Sequence, residues 1–457
     1  MAAKGRIDLK ELKKRAAEGA IDTVIVCGID MQGRLYGKRV TASFFLESAD
    51  GSTNTCACNF GWDMDLILIP GLEFTGWHTG YQDMKAAPDF STLRIYPWFD
   101  KTAIVICDST YEDGSLVEIA PRTILRRQHE AAEKMGFTPF MASELEFFLF
   151  KDSIDSAREK DYRDVEPFSK YYSDYSVFRG SMDEWLIGAM RNNLNELGLE
   201  VESSKAEWGR GQVELAIKYS TALEAGDRHM LLKQGIKEIA ALNSVMATFM
   251  AKHKTDDSGS GMHIHVSLWD KAAKKNMFWN PKKEHNMSDT MRHFLGGMMR
   301  LAPDMQYFYA PLINSYKRYV PESFAPWNVG WGGDNRTVTF RYCGHGNGFR
   351  IENRVPGSDA CGPLALAACL GSGLYGVKHK LEPVGPFITG DSYKEKSLPP
   401  LARTLSEAAR NLNASKPARE IFGDGVIDHY VKIAQWEVDR FNEYVTDWER
   451  RRYFEMA

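Results

Sequence analysis

Length, composition and charge exclude several classes of protein. The chain has 457 residues, of which 44% are hydrophobic and 26% charged, and its formal net charge at pH 7 is −4. These values are typical of a globular protein with one large domain or two domains. The small net charge gives no electrostatic reason to expect nucleic acid or an acidic membrane as a partner, and no apolar stretch is long enough to cross a bilayer.

The amino-terminal stretch and the cysteines predict a cytoplasmic location. The stretch MAAKGRIDLKELKKRAAEG is a charged helical pattern and lacks the apolar core of a signal peptide. The seven cysteines contain no C-x-x-C pair. This spacing favours reduced thiols over a disulfide framework.

Residues 1–115 have the pattern of a small α+β unit. A helix is predicted at about 8–18, and residues 23–40 read as a strand, a turn at 30–33 and a second strand. The β-branched stretch 102–110 predicts a strand that closes the unit. The turn-rich stretch 111–115 then predicts a domain boundary.

Residues 116–457 alternate between helical and strand patterns. Residues 121–136 begin with proline and end with glycine, as helices often do. Ser181 and Glu184 are spaced as a capping box for a helix that ends near 197. Strands are predicted at 262–268 and 337–342, and the last ~100 residues are predicted to be mostly helical. The sequence therefore predicts a second, larger domain over 116–457.

The stretch SELEFFLF (143–150) places two carboxylates in a strand that otherwise looks buried. Glu144 and Glu146 point to the same face, whereas Leu145, Phe147 and Leu149 point to the other. Two like charges in apolar surroundings repel each other and lose hydration. A compensating cation is therefore expected beside them.

Three further motifs carry carboxylates and histidines: EWGRGQVE (207–214), GSGMHIHVSL (259–268) and RIENRVPG (350–357). Taken singly, such motifs are also compatible with surface ion pairs, structural histidines or a cross-strand ladder of charges. Taken together, five glutamates and a histidine without a nearby thiolate suit hard divalent cations such as Mg²⁺ or Mn²⁺. A pair of these ions would neutralise the carboxylates of 143–150.

Five arginines complete the pattern: Arg318, Arg336, Arg341, Arg350 and Arg354. Permanently charged, planar guanidinium groups recognise phosphates and carboxylates. Acidic metal ligands beside arginines form the arrangement that phosphoryl transfer requires. The chain contains no G-x-x-x-x-G-K-[ST] sequence, so a nucleotide site of the P-loop type is excluded.

At this point the chain closely resembles the glutamine synthetase family. The family motifs occur in the family's order: SELEFFLF, EWGRGQVE, GSGMHIHVSL, NSYKRYVP (314–321), DNRTVTFR (334–341) and RIENRVPG. The resemblance implies an α+β protein with a β-grasp-like N-terminal domain and a catalytic domain built on a curved antiparallel sheet flanked by helices. It also implies a homo-oligomer, a dodecamer-like double ring with active sites between subunits.

The resemblance implies two metal sites, with ligands Glu146, Glu207 and Glu214 for one ion and Glu144, His263 and Glu352 for the other. It implies that ATP is bound by His265, Ser267, Arg336, Arg341 and Arg350. Arg336 and Arg341 would also act in catalysis by spreading charge during phosphoryl transfer. Glutamate would be held by the backbone of Gly259 and by Arg318 and Arg354.

One departure from the family pattern concerns the second substrate. Ammonia-using members have YEAP where this chain has SFAP (323–326), so Phe324 replaces the glutamate that binds ammonium. Loss of that charge and gain of an aromatic wall favour a carbon-bearing amine. The sequence therefore predicts an ATP-dependent glutamate–amine ligase that acts through a γ-glutamyl phosphate. Asp63, Asp65 and Glu207 are candidates for the base that deprotonates the amine.

Two alternatives stay open. If Phe324 packs inward and another acid binds ammonium, the protein is a glutamine synthetase that uses ammonia. A non-catalytic, structural member of the family is the second alternative. It is disfavoured because all six expected metal-ligand positions hold a carboxylate or an imidazole.

Overall fold

The computed structural model describes residues 4–48 and 50–457. The amino-terminal part contains a sheet with strands β1 (Thr23–Ile29), β2 (Leu35–Thr41), β3 (Thr53–Cys56), β4 (Asp83–Pro88), β5 (Arg94–Ile95) and β6 (Thr102–Thr110). Helices α1 (Leu9–Ala17) and α2 (Ala42–Glu47) accompany it. The strand order is β2-β1-β6-β4-β3, with β5 paired to β6. The predicted helix at 8–18, the hairpin at 23–40 and the strand at 102–110 are confirmed.

The two faces of this first sheet pack against different partners. Val24 and Val26 of β1 are fully buried with Leu12 and Phe45 in a small core beneath α1 and α2. The alternate residues of β1, including Ile29, belong instead to the main core of the molecule. This alternation follows from the two-residue period of a strand.

A second sheet positions the candidate site. Its strands are β7 (Phe137–Phe150), β8 (Val201–Ala206), β9 (Gln212–Ile217), β10 (Ser220–Thr221), β11 (Met246–Thr248), β12 (Met262–Asp270), β13 (Trp331–Gly333), β14 (Phe340–Cys343) and β15 (Arg350–Asn353). The order is β13-β14-β15-β12-β7-β9-β8, with β10 and β11 paired to β7. The pairs are antiparallel except β13–β14. The long strand β7 therefore joins both halves of this sheet.

Helices cover the second sheet and form the carboxyl-terminal part. They are α3 (Pro121–Lys134), α4 (Ile154–Glu159), α5 (Val177–Glu196), α6 (Ala222–Leu242), α7 (Asp289–Tyr309), α8 (Gly362–His379), α9 (Leu405–Ala414), α10 (Lys416–Phe422), α11 (Asp424–Glu443) and α12 (Asp447–Tyr453). Helix α8 is buried along most of its length, which fits its low charge. None of the helices in residues 4–48 and 50–457 combines the length and apolarity that a membrane crossing requires. A division of the chain at residue 115 stays a prediction.

Two local predictions are wrong. Helix α5 is capped by Ser176, whose side chain accepts a hydrogen bond from the backbone N of Arg179, so it begins more than a turn before Ser181. Ser181 instead donates to the carbonyl oxygen of Val177 inside the helix, and Glu184 pairs with Arg191. The strand predicted at 337–342 begins later, as β14 at Phe340. Thr337 lies in the turn before it, where its hydroxyl donates to Asn335 Oδ1.

Candidate active site

A cavity of about 940 Å³ lies against the second sheet, and all six predicted metal ligands line it. Cross-strand register explains why they meet. Glu144 of β7 lies opposite His263 of β12, and Glu146 lies opposite Glu214 of β9. Glu352 comes from β15, which pairs with the other edge of β12. Antiparallel pairing on one face thus brings together residues that are far apart in the sequence.

The first acidic cluster is formed by Glu144, His263 and Glu352, whose ligand atoms lie within 4.8 Å of one another. Glu144 Oε2 is 3.3 Å from His263 Nδ1. Burial alone would raise the pKa of Glu144, but hydrogen bonds with His263 and His265 outweigh it and hold this pKa well below its usual range. Glu144 is therefore ionised and available as a ligand.

Glu352 is almost completely buried, with 1% of its side chain exposed. Its two carboxylate oxygens each accept a hydrogen bond at 2.7 Å, one from Arg341 Nη1 and one from Arg354 Nη1. Burial opposes the ionisation of Glu352, but the charges of Arg354 and His263 lower its pKa to about 2. The arginines thus keep this carboxylate charged and fix its direction.

The second acidic cluster is formed by Glu146, Glu214 and His263, again with ligand atoms within 4.8 Å. Burial and the charge of Glu207 raise the pKa of Glu146 to about 7. Burial and the charge of Glu144 raise the pKa of Glu214 to about 9. These raised pKa values reflect carboxylates that lack sufficient positive charge nearby. Oxygen donors with this deficit fit a hard divalent cation.

Glu207, the remaining predicted ligand, lines the same cavity but is already paired. Its Oε1 lies 2.7 Å from Nζ of Lys205, which also binds Asp174 at 2.8 Å. Binding of a metal ion by Glu207 would require this lysine to share or release the carboxylate. Lys205 was not identified from the sequence, because nothing in its spacing distinguishes it from a surface lysine.

The predicted ATP residues divide between two cavities. Arg336 and Arg341 line the large cavity. His265, Ser267 and Arg350 line a neighbouring cavity of about 260 Å³, and Glu144 lines both.

His265 connects the two groups of residues. Its Nδ1 accepts a hydrogen bond from Arg350 Nε at 3.0 Å, so its Nε2 carries the proton donated to Glu144 at 2.9 Å. An elongated ligand could therefore lie across Glu144, with one end in each cavity.

The predicted glutamate-binding residues are close together, but only two of them line the large cavity. These are Gly259 and Arg354. Arg318 is 4% exposed and donates to the carbonyl oxygens of Val355 at 3.0 Å and Arg354 at 3.2 Å. A side chain at Gly259 is excluded, because an added Cβ would lie 2.8 Å from Arg318 Cγ and 2.9 Å from the carbonyl oxygen of Ala251.

Phe324 does not pack into the core. Its side chain is 60% exposed and lines the large cavity. Its φ of 59° lies in the left-handed region, which is uncommon for a bulky residue. The Phe324 carbonyl oxygen accepts a hydrogen bond from Arg354 Nη2 at 3.3 Å, which ties this segment to the acidic cluster.

Several cavity residues were missed from the sequence. Tyr172, Tyr175 and Trp208 line the cavity and are more than half exposed. Trp208 lies inside the motif EWGRGQVE, which could have indicated it, whereas the tyrosines lie in an irregular segment without periodicity. Among the candidate bases only Glu207 lines the cavity of its own chain, since neither Asp63 nor Asp65 does so.

Comparison with known proteins identifies the family. Residues 118–453 match the glutamine synthetase catalytic domain. Glutamate–isopropylamine ligase of Pseudomonas sp is 42% identical over 441 residues, covering 95% of this chain and 95% of that protein. Gamma-glutamylethanolamide synthetase GlnA4 of Streptomyces coelicolor is 42% identical over 450 residues, covering 98% of this chain and 96% of that protein.

The fold agrees with this result. The solved structure of GmaS without ligand has a TM-score of 0.84 and 25% sequence identity, covering 98% of this chain and 100% of that one. The protein is a carbon–nitrogen ligase by its fold and site, of the kind that requires ATP and divalent metal ions. It belongs to the glutamine synthetase family. The predicted α+β architecture with a glutamine synthetase-like catalytic part is confirmed.

Proposed function

We propose that this chain is an ATP-dependent glutamate–amine ligase, which joins the γ-carboxylate of glutamate to a carbon-bearing amine through a γ-glutamyl phosphate. The observation that carries the proposal is Phe324, which presents an exposed aromatic ring to the cavity that contains both acidic clusters. The two curated relatives support it, because one is named for isopropylamine and the other for ethanolamide.

Two divalent ions, Mg²⁺ or Mn²⁺, fit the donors of the cavity. Glu144, His263 and Glu352 would hold one ion, while Glu146 and Glu214, joined by Glu207, would hold the other. When bound, such ions supply positive charge to phosphate oxygens and so favour phosphoryl transfer. The raised pKa values of Glu146 and Glu214 support this assignment, since burial and neighbouring carboxylates outweigh the cations near them.

The arginines would bind and orient the two anionic substrates. Arg336 and Arg341 line the cavity beside the acidic clusters, where they can stabilise the charge that develops on the transferring phosphoryl group. His265, Ser267 and Arg350 line the adjoining cavity and are the candidates for the rest of ATP. Arg354 and the Gly259 backbone line the large cavity and are the candidates for binding glutamate, and Arg318 donates to the carbonyl oxygen of Arg354.

The amine must lose its proton before it attacks, because an alkylammonium ion has a pKa of ~10 and no free lone pair. Glu207 is a candidate base within the cavity. Asp63 and Asp65 would have to come from a neighbouring subunit. Phe324, Tyr175 and Trp208 would supply an apolar wall for the carbon atoms of the amine.

Glu322 favours the alternative, a glutamine synthetase that uses ammonia. This carboxylate lies two residues before Phe324 and lines the same cavity. It could provide the negative charge that an ammonium ion requires.

The decisive experiment measures ADP release with glutamate and a panel of amines: isopropylamine, ethanolamine, aniline and ammonia, each with Mg²⁺ or Mn²⁺. We expect kcat/KM for at least one carbon-bearing amine to exceed that for ammonia by about tenfold or more, because each buried methylene contributes about 0.8 kcal/mol. A preference for ammonia would identify a glutamine synthetase. Absence of glutamate-dependent ADP release with every amine would identify a non-catalytic protein.

We also propose a cytoplasmic homo-oligomer with active sites between subunits, in the dodecamer-like double ring expected for the family. The supporting observation is the match of residues 118–453 to the glutamine synthetase catalytic domain, for which this assembly is expected. Light scattering should give a mass of about twelve times the 51.7 kDa of one chain. A monomer that is fully active would contradict the proposal.

A further inference from the structure

A lysine lies beside the second acidic cluster because of strand register. Glu146 of β7 lies opposite Glu214 of β9, and Glu214 in turn lies opposite Lys205 of β8. Residues that pair directly across antiparallel strands point to the same face of the sheet. The three side chains therefore form one row, two carboxylates followed by an ammonium group, and all three line the catalytic cavity.

The ammonium group of Lys205 is shared between two carboxylates. Its Nζ lies 2.7 Å from Glu207 Oε1 and 2.8 Å from Asp174 Oδ1. It also lies 4.1 Å from the centre of the Tyr175 ring. Because the Lys205 side chain is only 21% exposed, solvent screens these ion pairs less than it would at the surface.

This ion pair is accompanied by a position of Glu207 outside the second acidic cluster. Within residues 4–48 and 50–457, the ligand atoms that approach one another within 4.8 Å belong to Glu146, Glu214 and His263, and Glu207 is not among them. Lys205 Nζ instead contacts one of the two carboxylate oxygens of Glu207. A divalent ion and an ammonium group repel each other when both draw on the same carboxylate.

Asp174 gives Lys205 a second partner. It lies between α4 and α5, lines the catalytic cavity and is not one of the predicted metal ligands. Because Asp174 already contacts Lys205, the lysine can keep this ion pair while Glu207 turns toward a metal ion. The displaced ammonium group is therefore not left without a carboxylate partner, which would be costly in a partly buried position.

We propose that Lys205 competes with a divalent ion for Glu207 and thereby lowers the affinity of the second acidic cluster for its ion. When this ion binds, Lys205 passes to Asp174 alone. Lys205 is thus a positioning residue, which sets how tightly the second ion is held. This inference rests on the two-metal site of the proposed function, but not on the identity of the amine.

Calorimetric titration of the full-length protein with Mn²⁺, without substrates and at constant ionic strength, tests the proposal. The binding step that Glu207→Gln weakens is assigned to the second acidic cluster. We expect Lys205→Met to tighten this step by about tenfold or more, because groups that contact a metal ligand usually alter affinity by about ten- to a hundredfold. Asp174→Asn should weaken the same step, because Lys205 then depends on Glu207 alone.

A double-mutant cycle separates direct competition from a general effect of charge. If Lys205 acts through Glu207, the tightening by Lys205→Met should be absent when Glu207→Gln is also present. A general loss of positive charge would tighten binding equally in both backgrounds. Lys252→Met is the matched control, since this lysine lines the same cavity but its Nζ donates to the carbonyl oxygen of Asp257. It should bind Mn²⁺ nearly as wild type does.

The proposal is overturned if Lys205→Met leaves the affinities unchanged, if Lys252→Met tightens binding as strongly, or if the tightening persists in the Glu207→Gln background. If Lys205→Met does not fold, Asp174→Asn keeps the test valid, since unchanged or tighter binding in that variant also overturns the proposal. Two bound ions with unchanged affinity would overturn the competition alone. Absence of Mn²⁺ binding by the wild type and every variant would overturn the two-metal site as well.

Discussion

Glu352 is the most deeply buried of the glutamates that line the catalytic cavity, and its surroundings decide which substitutions are informative. Arg354 has Glu352 as its carboxylate partner, whereas Arg341 also pairs with the exposed Asp334. Replacement by alanine would leave the buried Arg354 without a carboxylate partner, which is strongly destabilising. Glutamine preserves the shape and one of the two acceptor atoms while it removes the negative charge.

We therefore predict that Glu352→Gln and Glu144→Ala each reduce ADP formation by about a hundredfold or more, since each removes a ligand from a charge-dense site. Circular dichroism should show an unchanged fold. Glu284→Gln, at a glutamate whose side chain is 89% exposed, serves as the matched control. Turnover near the wild-type rate in either variant would contradict the two-metal assignment.

Phe324 permits a test of the amine preference. Phe324→Glu should raise activity with ammonia relative to a carbon-bearing amine, because it exchanges an apolar contact of about 1–2 kcal/mol for a charge interaction of similar size. The ratio of kcat/KM values should shift by about ten- to a hundredfold. Phe324→Ala should weaken amine use without improving ammonia use, since it adds no charge.

The same change at an exposed phenylalanine outside the cavity, Phe44→Glu, controls for a general effect of the new charge. If neither Phe324 variant alters the ratio, and the wild type already prefers ammonia, the ring does not select the amine.

At the scale of single residues, the strand pattern of the sequence predicted much of the site. A two-residue period correctly places Glu144 and Glu146 on one face, and their partners His263 and Glu214 then follow from register. The contact of Lys205 with Asp174 could not be predicted. It depends on where Asp174, a loop residue, lies in space, and no periodic pattern encodes that position.

At the scale of single elements, the start of α5 shows how a motif can mislead. Ser181 and Glu184 have capping-box spacing, yet Ser176 caps the helix. The spacing describes only which side chains could reach the backbone, whereas packing selects the turn at which the helix begins.

We predict that Ser176→Ala destabilises the first turn of α5 by about 1 kcal/mol, the usual cost of a lost cap, while Ser181→Ala has almost no effect. Hydrogen exchange of the amide groups at 177–180 should become faster only in the first variant. Equal exchange rates in both variants would show that Ser176 does not act as the cap.

Helix α11 carries a buried histidine that makes stability depend on pH. Burial lowers the pKa of His429 to about 3. Because an unfolded histidine has a pKa of about 6.5, the unfolded state binds more protons between these values, and stability falls as pH decreases through this window. His229 is buried in the same manner, and its pKa is also lowered to about 3.

His429→Leu should remove part of this dependence. Between pH 7 and pH 5, the free energy of unfolding of the wild type should fall by about 2 kcal/mol because His429 is protonated only in the unfolded state. The variant should not show this part of the fall. Thermal unfolding at several pH values measures the difference, and His78→Leu at an exposed position is the control. An unchanged pH profile in His429→Leu would contradict a buried, uncharged imidazole.

At the scale of the whole molecule, the two sheets are not independently packed. Ile29, Phe60 and Ile104 of the amino-terminal part belong to the same hydrophobic core as the helices of the catalytic part. Tyr96 and Trp98 both donate to Glu238 of α6, at 2.6 Å and 2.7 Å. The predicted boundary at residue 115 therefore lies beside an extensive apolar contact.

We predict that residues 116–457 expressed alone will not form a stable fold, since loss of the amino-terminal part would expose this core. Solubility and thermal unfolding of the fragment, compared with the full chain, measure the effect. A soluble fragment with a cooperative transition close to that of the full chain would contradict the prediction.

Most individual strands and helices were predictable, because hydrophobic periodicity and turn residues are local signals. The order of the strands and the shared core were not predictable from local signals. Ile29 and Ile104 look like ordinary strand residues, and nothing nearby in the sequence indicates that they belong to the main core rather than to the small core beneath α1 and α2.

The pairing of β12 with β7 and of β15 with β12 has a consequence for how the protein is made. Glu144 leaves the ribosome long before His263, and Glu352 follows later still. The acidic face of β7 must therefore wait for partners that are more than a hundred residues away along the nascent chain. Such non-local pairing slows folding and prolongs exposure of unpaired strand edges. Newly synthesised chains should depend on chaperones until the last strand of the sheet has emerged.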